Sequence, residues 1–111
     1  MHVQMVNFTL NGLDEEGYRA ACADMAPAFA TIPGLLAKVW LADPDSNTYG
    51  GVYLWRDRES MEGYLASELF ATVAATPQFS NITSRDFRIY DDLTAVTQPG
   101  LQILVSSAAH V

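Results

Sequence analysis

The sequence predicts a single α+β domain of the ferredoxin-like kind, with element order β-α-β-β-α-β and helices on one face of an antiparallel four-stranded sheet. Three observations predict it. Four short runs are rich in β-branched and aromatic residues. Two stretches with helical spacing separate the first run from the second and the third from the fourth. A dense turn cluster joins the middle two runs into a hairpin.

Val3 to Leu10 reads as the first strand and stops at the turn signal Asn11-Gly12. Asp14-Glu15-Glu16 opens a helix, where acids suit the free N–H groups and the positive end of the helix dipole. Tyr18, Cys22, Met25 and Phe29 then fall on one helical face. Pro27 interrupts that pattern and is expected to kink the helix or end it early. After Pro33-Gly34, Leu35 to Leu41 forms the second strand and Tyr49 to Trp55 the third, joined through Asp43-Pro44-Asp45-Ser46-Asn47. Asp57 reads as an N-cap, with Met61, Tyr64, Leu65 and Leu69 as the apolar stripe behind it and Ser67 restarting a separate short helix. Pro77 ends that region, Ile82 to Tyr90 reads as the fourth strand, and Asp91 to Pro99 as a loop. Residues 1–98 thus make the domain. Residues 99–111 make a C-terminal tail whose β-prone run, Leu101 to Val105, suits a sheet edge or an arm crossing to a partner, or simply a loosely packed end.

The chain has 111 residues and a formal net charge of −7, from 13 acidic and 6 basic residues. Such an acidic surface repels phosphate backbones and anionic lipid, so neither nucleic acid nor a membrane surface is an expected partner. Half the residues are apolar, a large share for a domain with a modest core. Surplus apolar surface points to a second copy of the chain. Cys22 is the only cysteine and cannot form an internal disulfide, which fits a cytoplasmic location. No signal segment is visible at the N-terminus.

Pairing Asp43 with Thr48 sets the hairpin register. Trp40 then faces Gly51, Lys38 faces Tyr53 and Leu36 faces Trp55, all on one side. Ala37, Val39, Leu41, Val52 and Leu54 fall on the other. One face is therefore aliphatic, and the other aromatic with a single ammonium. A slip of one residue would scramble this sorting. Gly51 opposite Trp40 leaves room for the indole or for a ligand against it. The aromatic face suits a flat substrate stacked on Trp40, Tyr53 and Trp55 beside Lys38, with the Tyr64 hydroxyl reaching in from the second helix. The same residues equally suit a packed aromatic core with Lys38 extended to water. Asn7 places an amide in mid-strand, costly unless hydrogen-bonded. Arg85 suits a carboxylate or phenolate ligand, or a surface ion pair.

Pro33-Gly34-Leu35-Leu36-Ala37-Lys38-Val39-Trp40, Gly50-Gly51-Val52-Tyr53-Leu54-Trp55, Ser60 with Tyr64-Leu65, and Phe87-Arg88-Ile89-Tyr90-Asp91-Asp92-Leu93 together resemble the YdhR family of mono-oxygenases. The resemblance runs from Pro33 to about Gln98 and ends at Pro99. It implies a dimeric α+β barrel similar to antibiotic-biosynthesis monooxygenases, small dimers that oxidise aromatic polyketide-like substrates with no metal or flavin. It also implies a place for Asn7, since an early-strand asparagine in those enzymes positions substrate or oxygen. The expected function is a cofactor-independent monooxygenase acting on a small aromatic, polyketide-like or quinol molecule. Asn7, Tyr64 and Arg85 are its candidate catalytic residues, and Lys38, Trp40, Gly51, Tyr53 and Trp55 its candidate substrate-binding residues. A cyclase or isomerase on the same scaffold and a non-catalytic binder of small aromatics are the alternatives. No metal or cofactor is expected: His2 and His110 lie at opposite ends, no Ser-centred elbow or Gly-rich phosphate loop is present, and Tyr64 to Ala75 lacks the histidine of haem-degrading relatives.

Overall fold

A computed structural model describes residues 1–98. Its elements are β1 (His2–Leu10), α1 (Glu15–Ala30), β2 (Leu35–Asp43), β3 (Thr48–Trp55), α2 (Arg58–Leu65), α3 (Glu68–Ala75), β4 (Phe79–Arg88) and α4 (Asp91–Thr97). All strand pairings are antiparallel, in the order β2-β3-β1-β4. This is the ferredoxin-like arrangement. The tail from residue 99, with its expected edge strand or crossing arm, lies outside the described residues. Among those residues no helix is long and apolar enough to cross a membrane.

Local chemistry explains most boundaries. The Asp14 carboxylate accepts from the Gly17 N–H, the Asp57 carboxylate from Ser60 N–H and the Ser67 hydroxyl from Phe70 N–H. Each occupies a donor that a helix start would otherwise leave unpaired. Ser67 does split the second helical region into α2 and α3.

Three boundaries differ from the sequence reading. Helix α1 runs past Pro27 to Ala30, because a proline this close to the C-terminus removes only one late N–H from the helical ladder. Strand β4 starts at Phe79, three residues early, since Phe79 pairs with Leu10 and buries its ring against Phe8 at 4.6 Å. A bulge then follows, with Asn81 at φ 56, so the period-two alternation is broken where a strand start would be sought. The segment expected as a loop after Tyr90 is the short helix α4. Asp91 and Asp92 occupy its first turn, but Leu93 and Val96 stay exposed, so no buried stripe marks it in the sequence.

The hairpin pairs as expected from Ala42↔Tyr49 through Lys38↔Tyr53. At its far end a bulge between Leu35 and Ala37 sets Leu35, not Leu36, opposite Trp55. The face toward the helices carries Trp55 with His2, Tyr53 with Gln4, Gly51 with Val6, and Tyr49 with Phe8. Rings from α1 and α2, Tyr18, Phe29 and Tyr64, close over it. The outer face carries the rows Ala37–Leu54–Val3–Phe87, Val39–Val52–Met5–Arg85 and Leu41–Gly50–Asn7–Thr83. Val39, Met5 and Phe87 are the exposed large apolar side chains of that face.

Candidate functional site

Strand β2 is an edge strand, so the seam between it and α1 opens directly to solvent. Lys38 stands in the seam on the helix side of the sheet. Its stem lies over Gly51: a Cβ at that glycine would come within 2.9 Å of Lys38 Cε. Gly51 therefore makes room for the lysine, not for the Trp40 indole as its cross-strand position suggested. The ammonium position is 3.4 Å from the ring centroids of both Phe29 and Trp40 and 4.8 Å from that of Tyr53. Such ring faces attract a cation, yet they replace its hydration poorly. No acid among the described residues forms an ion pair with it. Burial accordingly pulls the Lys38 pKa down to about 7, with the nearby Cys22 thiol opposing the shift. At neutral pH a large share of this side chain is free amine.

Its neighbours hold their protons. Burial pushes the Tyr53 phenol far above the usual range, and Tyr64 adds to the effect. Burial also raises Tyr64, and their hydroxyls lie 3.4 Å apart. Tyr18 and Cys22, on α1, are raised by burial as well. Space is distributed unevenly around this group. A cleft of about 310 Å³, lined by Ala26, Phe29, Leu35, Leu36, Lys38 and Trp40, opens outward. Behind it a void of about 20 Å³, room for roughly one water, touches Lys38, Trp40, Tyr53 and Tyr64. Across Trp40 lies a further cleft of about 410 Å³ toward Tyr18, Cys22 and Tyr49. A larger cleft, about 630 Å³ between the end of α1 and α2–α3, touches Tyr64 but neither Lys38 nor Trp40. Volume alone would favour it; the unusual chemistry sits in the seam instead.

The family model described as "Putative mono-oxygenase ydhR" matches residues 3–99. The chain belongs to the YdhR family. No curated protein matches it by sequence. Among solved structures it is similar to SnoaB, a cofactor-independent oxygenase from Streptomyces nogalater, at 27% identity and a TM-score of 0.63, covering 79% of this chain and 92% of that one. It also shares its fold with the heme-degrader MhuD from Mycobacterium tuberculosis, at 18% identity and a TM-score of 0.66, covering 81% and 96%.

In this YdhR-family chain the candidate residues divide between two faces. Lys38, Trp40, Gly51, Tyr53, Trp55 and Tyr64 gather on the helix side. Asn7 and Arg85 do not join them: strand alternation sends both to the outer face, where the Arg85 guanidinium lies 5.2 Å from the Phe87 ring centroid. A pocket combining Asn7 or Arg85 with Lys38 is therefore not formed within one chain. Tyr53, Trp55 and Tyr64 are buried, and Trp55 stacks parallel to Tyr53 at 5.9 Å. No open slot for a flat molecule separates them, and the accessible ring is Trp40.

Sequence reasoning passed over Gln4 and His2. Gln4 is fully buried, accepts from Trp55 Nε1 at 3.0 Å and donates to Ser84 Oγ at 3.0 Å. His2 is buried with Nε2 2.6 Å from an Asp86 oxygen. The signal for Gln4 was present: it shares the even-numbered positions of β1 with Val6, Phe8 and Leu10, so its amide had to find buried partners.

Proposed function

We propose that the protein is a homodimeric, cofactor-independent monooxygenase that oxidises a small hydroxylated aromatic molecule held in the α1–β2 seam. The observation that carries this reading is Lys38: a largely desolvated amine ringed by Phe29, Trp40 and Tyr53 at the wall of an open, mostly apolar cleft. The family match and the likeness to SnoaB support the class of reaction. Such an enzyme makes the substrate its own electron donor, since a phenolate reduces dioxygen far more readily than a phenol does. The protein supplies a dry site, orientation and charge stabilisation. The apolar outer face, with Val39, Met5 and Phe87 exposed, supports a partner sheet packed against it.

The test is dioxygen uptake with a panel of anthrones and dihydroxynaphthalenes. Uptake well above the uncatalysed rate, one dioxygen per substrate oxidised, is the expected result. Uptake at the blank rate across the panel sinks the reading for those substrates. A cyclase or isomerase gains support from the same lysine, which supplies a base at neutral pH. Substrate conversion without loss of dioxygen would decide for it.

A further inference from the structure

We propose that Lys38 is the general base of this site: its amine takes the hydroxyl proton of a phenol or hydroquinone seated in the α1–β2 cleft, and the resulting ammonium then holds the phenolate for reaction with dioxygen. The inference rests on the monooxygenase reading and deepens it, naming the base and the substrate class.

Geometry carries it. Lys38 lines both the outer cleft and the small void behind it, and its nitrogen lies 3.4 Å from the ring centroids of Phe29 and Trp40, which line the same cleft. The groups around that nitrogen are Cys22 and Tyr18 from α1, Trp40 beside it on β2, Tyr53 from β3 and Tyr64 from α2. None offers a negative charge at neutral pH, because burial raises the thiol and all three phenols. An amine so placed loses little by being neutral and gains an anion by deprotonating its ligand.

The step balances. The substrate O–H bond breaks, an N–H bond forms on Lys38, and the electron pair stays on the substrate oxygen. The phenolate then gives one electron to dioxygen, the oxidant, forming a phenoxyl radical and superoxide. When these combine, the peroxide anion takes the proton back and the amine is restored. An ordinary phenol has a pKa of about 10, whereas Lys38 sits at about 7. Proton transfer is easier from a more acidic hydroxyl, so the favoured substrates carry a ring carbonyl conjugated with the hydroxyl.

The probe is the dye 4-hydroxyacetophenone, bound under argon at about pH 7, where the free dye is mostly protonated and a large share of Lys38 is free amine. Expected is the phenolate absorption band on binding to the wild-type protein and its loss in Lys38→Met. Lys38→Arg is expected to keep the band, since a guanidinium still pairs with phenolate, but to abolish the rise of quinol oxidation through neutral pH, since it does not act as a base there. A dye that binds wild-type protein as the phenol, or fails to bind, overturns the proposal. So does an unchanged band in Lys38→Met, or an arginine variant whose rate still climbs through neutral pH. The dye experiment consumes no dioxygen. A blank oxygen-uptake panel with the phenolate band intact therefore sinks the monooxygenase reading alone, whereas full uptake by Lys38→Met sinks the role of Lys38 alone.

Discussion

Lys38 illustrates a cost accepted at one residue. Protonating it in the folded chain is disfavoured by burial, while the unfolded chain protonates it freely up to a pKa near 10.5. Between about pH 7 and that value the unfolded state binds the extra proton, so this group makes stability rise with pH across the window. Below about pH 7 both states are charged and the full penalty remains. Lys38→Met should therefore stabilise the protein at neutral pH by about 1–2 kcal/mol and flatten this dependence, read by urea unfolding at several pH values. It should also remove activity, the pattern of a residue retained for function at the expense of stability. The adjacent glycines separate two kinds of tolerance. Gly50 has φ +148, and a Cβ there would lie 1.8 Å from the Val6 carbonyl oxygen. Gly50→Ala should cost upward of about 3 kcal/mol or prevent folding, because backbone cannot move aside. Gly51→Ala meets the movable end of Lys38 and should cost only about 1 kcal/mol in stability while displacing the amine, seen as a shifted pH–rate profile.

Among the elements, helix starts were the most legible, because a capping side chain and its target N–H are near neighbours in sequence. Ser67 shows the gain. Its hydroxyl accepts from Phe70 N–H and donates to the Tyr64 carbonyl, joining the end of α2 to the start of α3. Ser67→Ala should cost about 1 kcal/mol by thermal or urea unfolding. Since α2 carries Tyr64 over Tyr53, loosening that joint should also raise hydrogen exchange in α2 and α3 together. The features misread, the register at the bulged start of β2, the start of β4 and the exposed helix α4, share a physical reason: none sustains a regular apolar period there and none carries a side-chain cap that marks it.

At the scale of the whole molecule, the sheet presents two unlike surfaces. Phe29, Tyr53, Trp55 and Tyr64 fill the helix side, and Val39, Met5 and Phe87 lie open on the other. If a second copy covers that outer side, Val39→Asp should yield a folded monomer in sedimentation with unchanged circular dichroism, because Val39 contributes nothing to the core of its own chain. A dimer that survives the substitution would count against that arrangement.

Which side chains share a face was readable from the chain, because side-chain direction in a strand alternates residue by residue and the turn at Asp43–Thr48 sets the pairing. Lys38, Trp40, Tyr53 and Trp55 were accordingly assigned together without coordinates. The same alternation puts Asn7 and Gln4 on opposite faces of β1, but does not say which of the two meets the helices. How far the aromatic face is filled depends on how rings from α1, α2 and β3 interlock, and pattern carries no record of volume. That packing made Trp55 and Tyr64 core, left the Trp40 edge open, and buried Lys38 among rings with no ion-paired acid among the described residues, giving an ordinary lysine its unusual proton affinity.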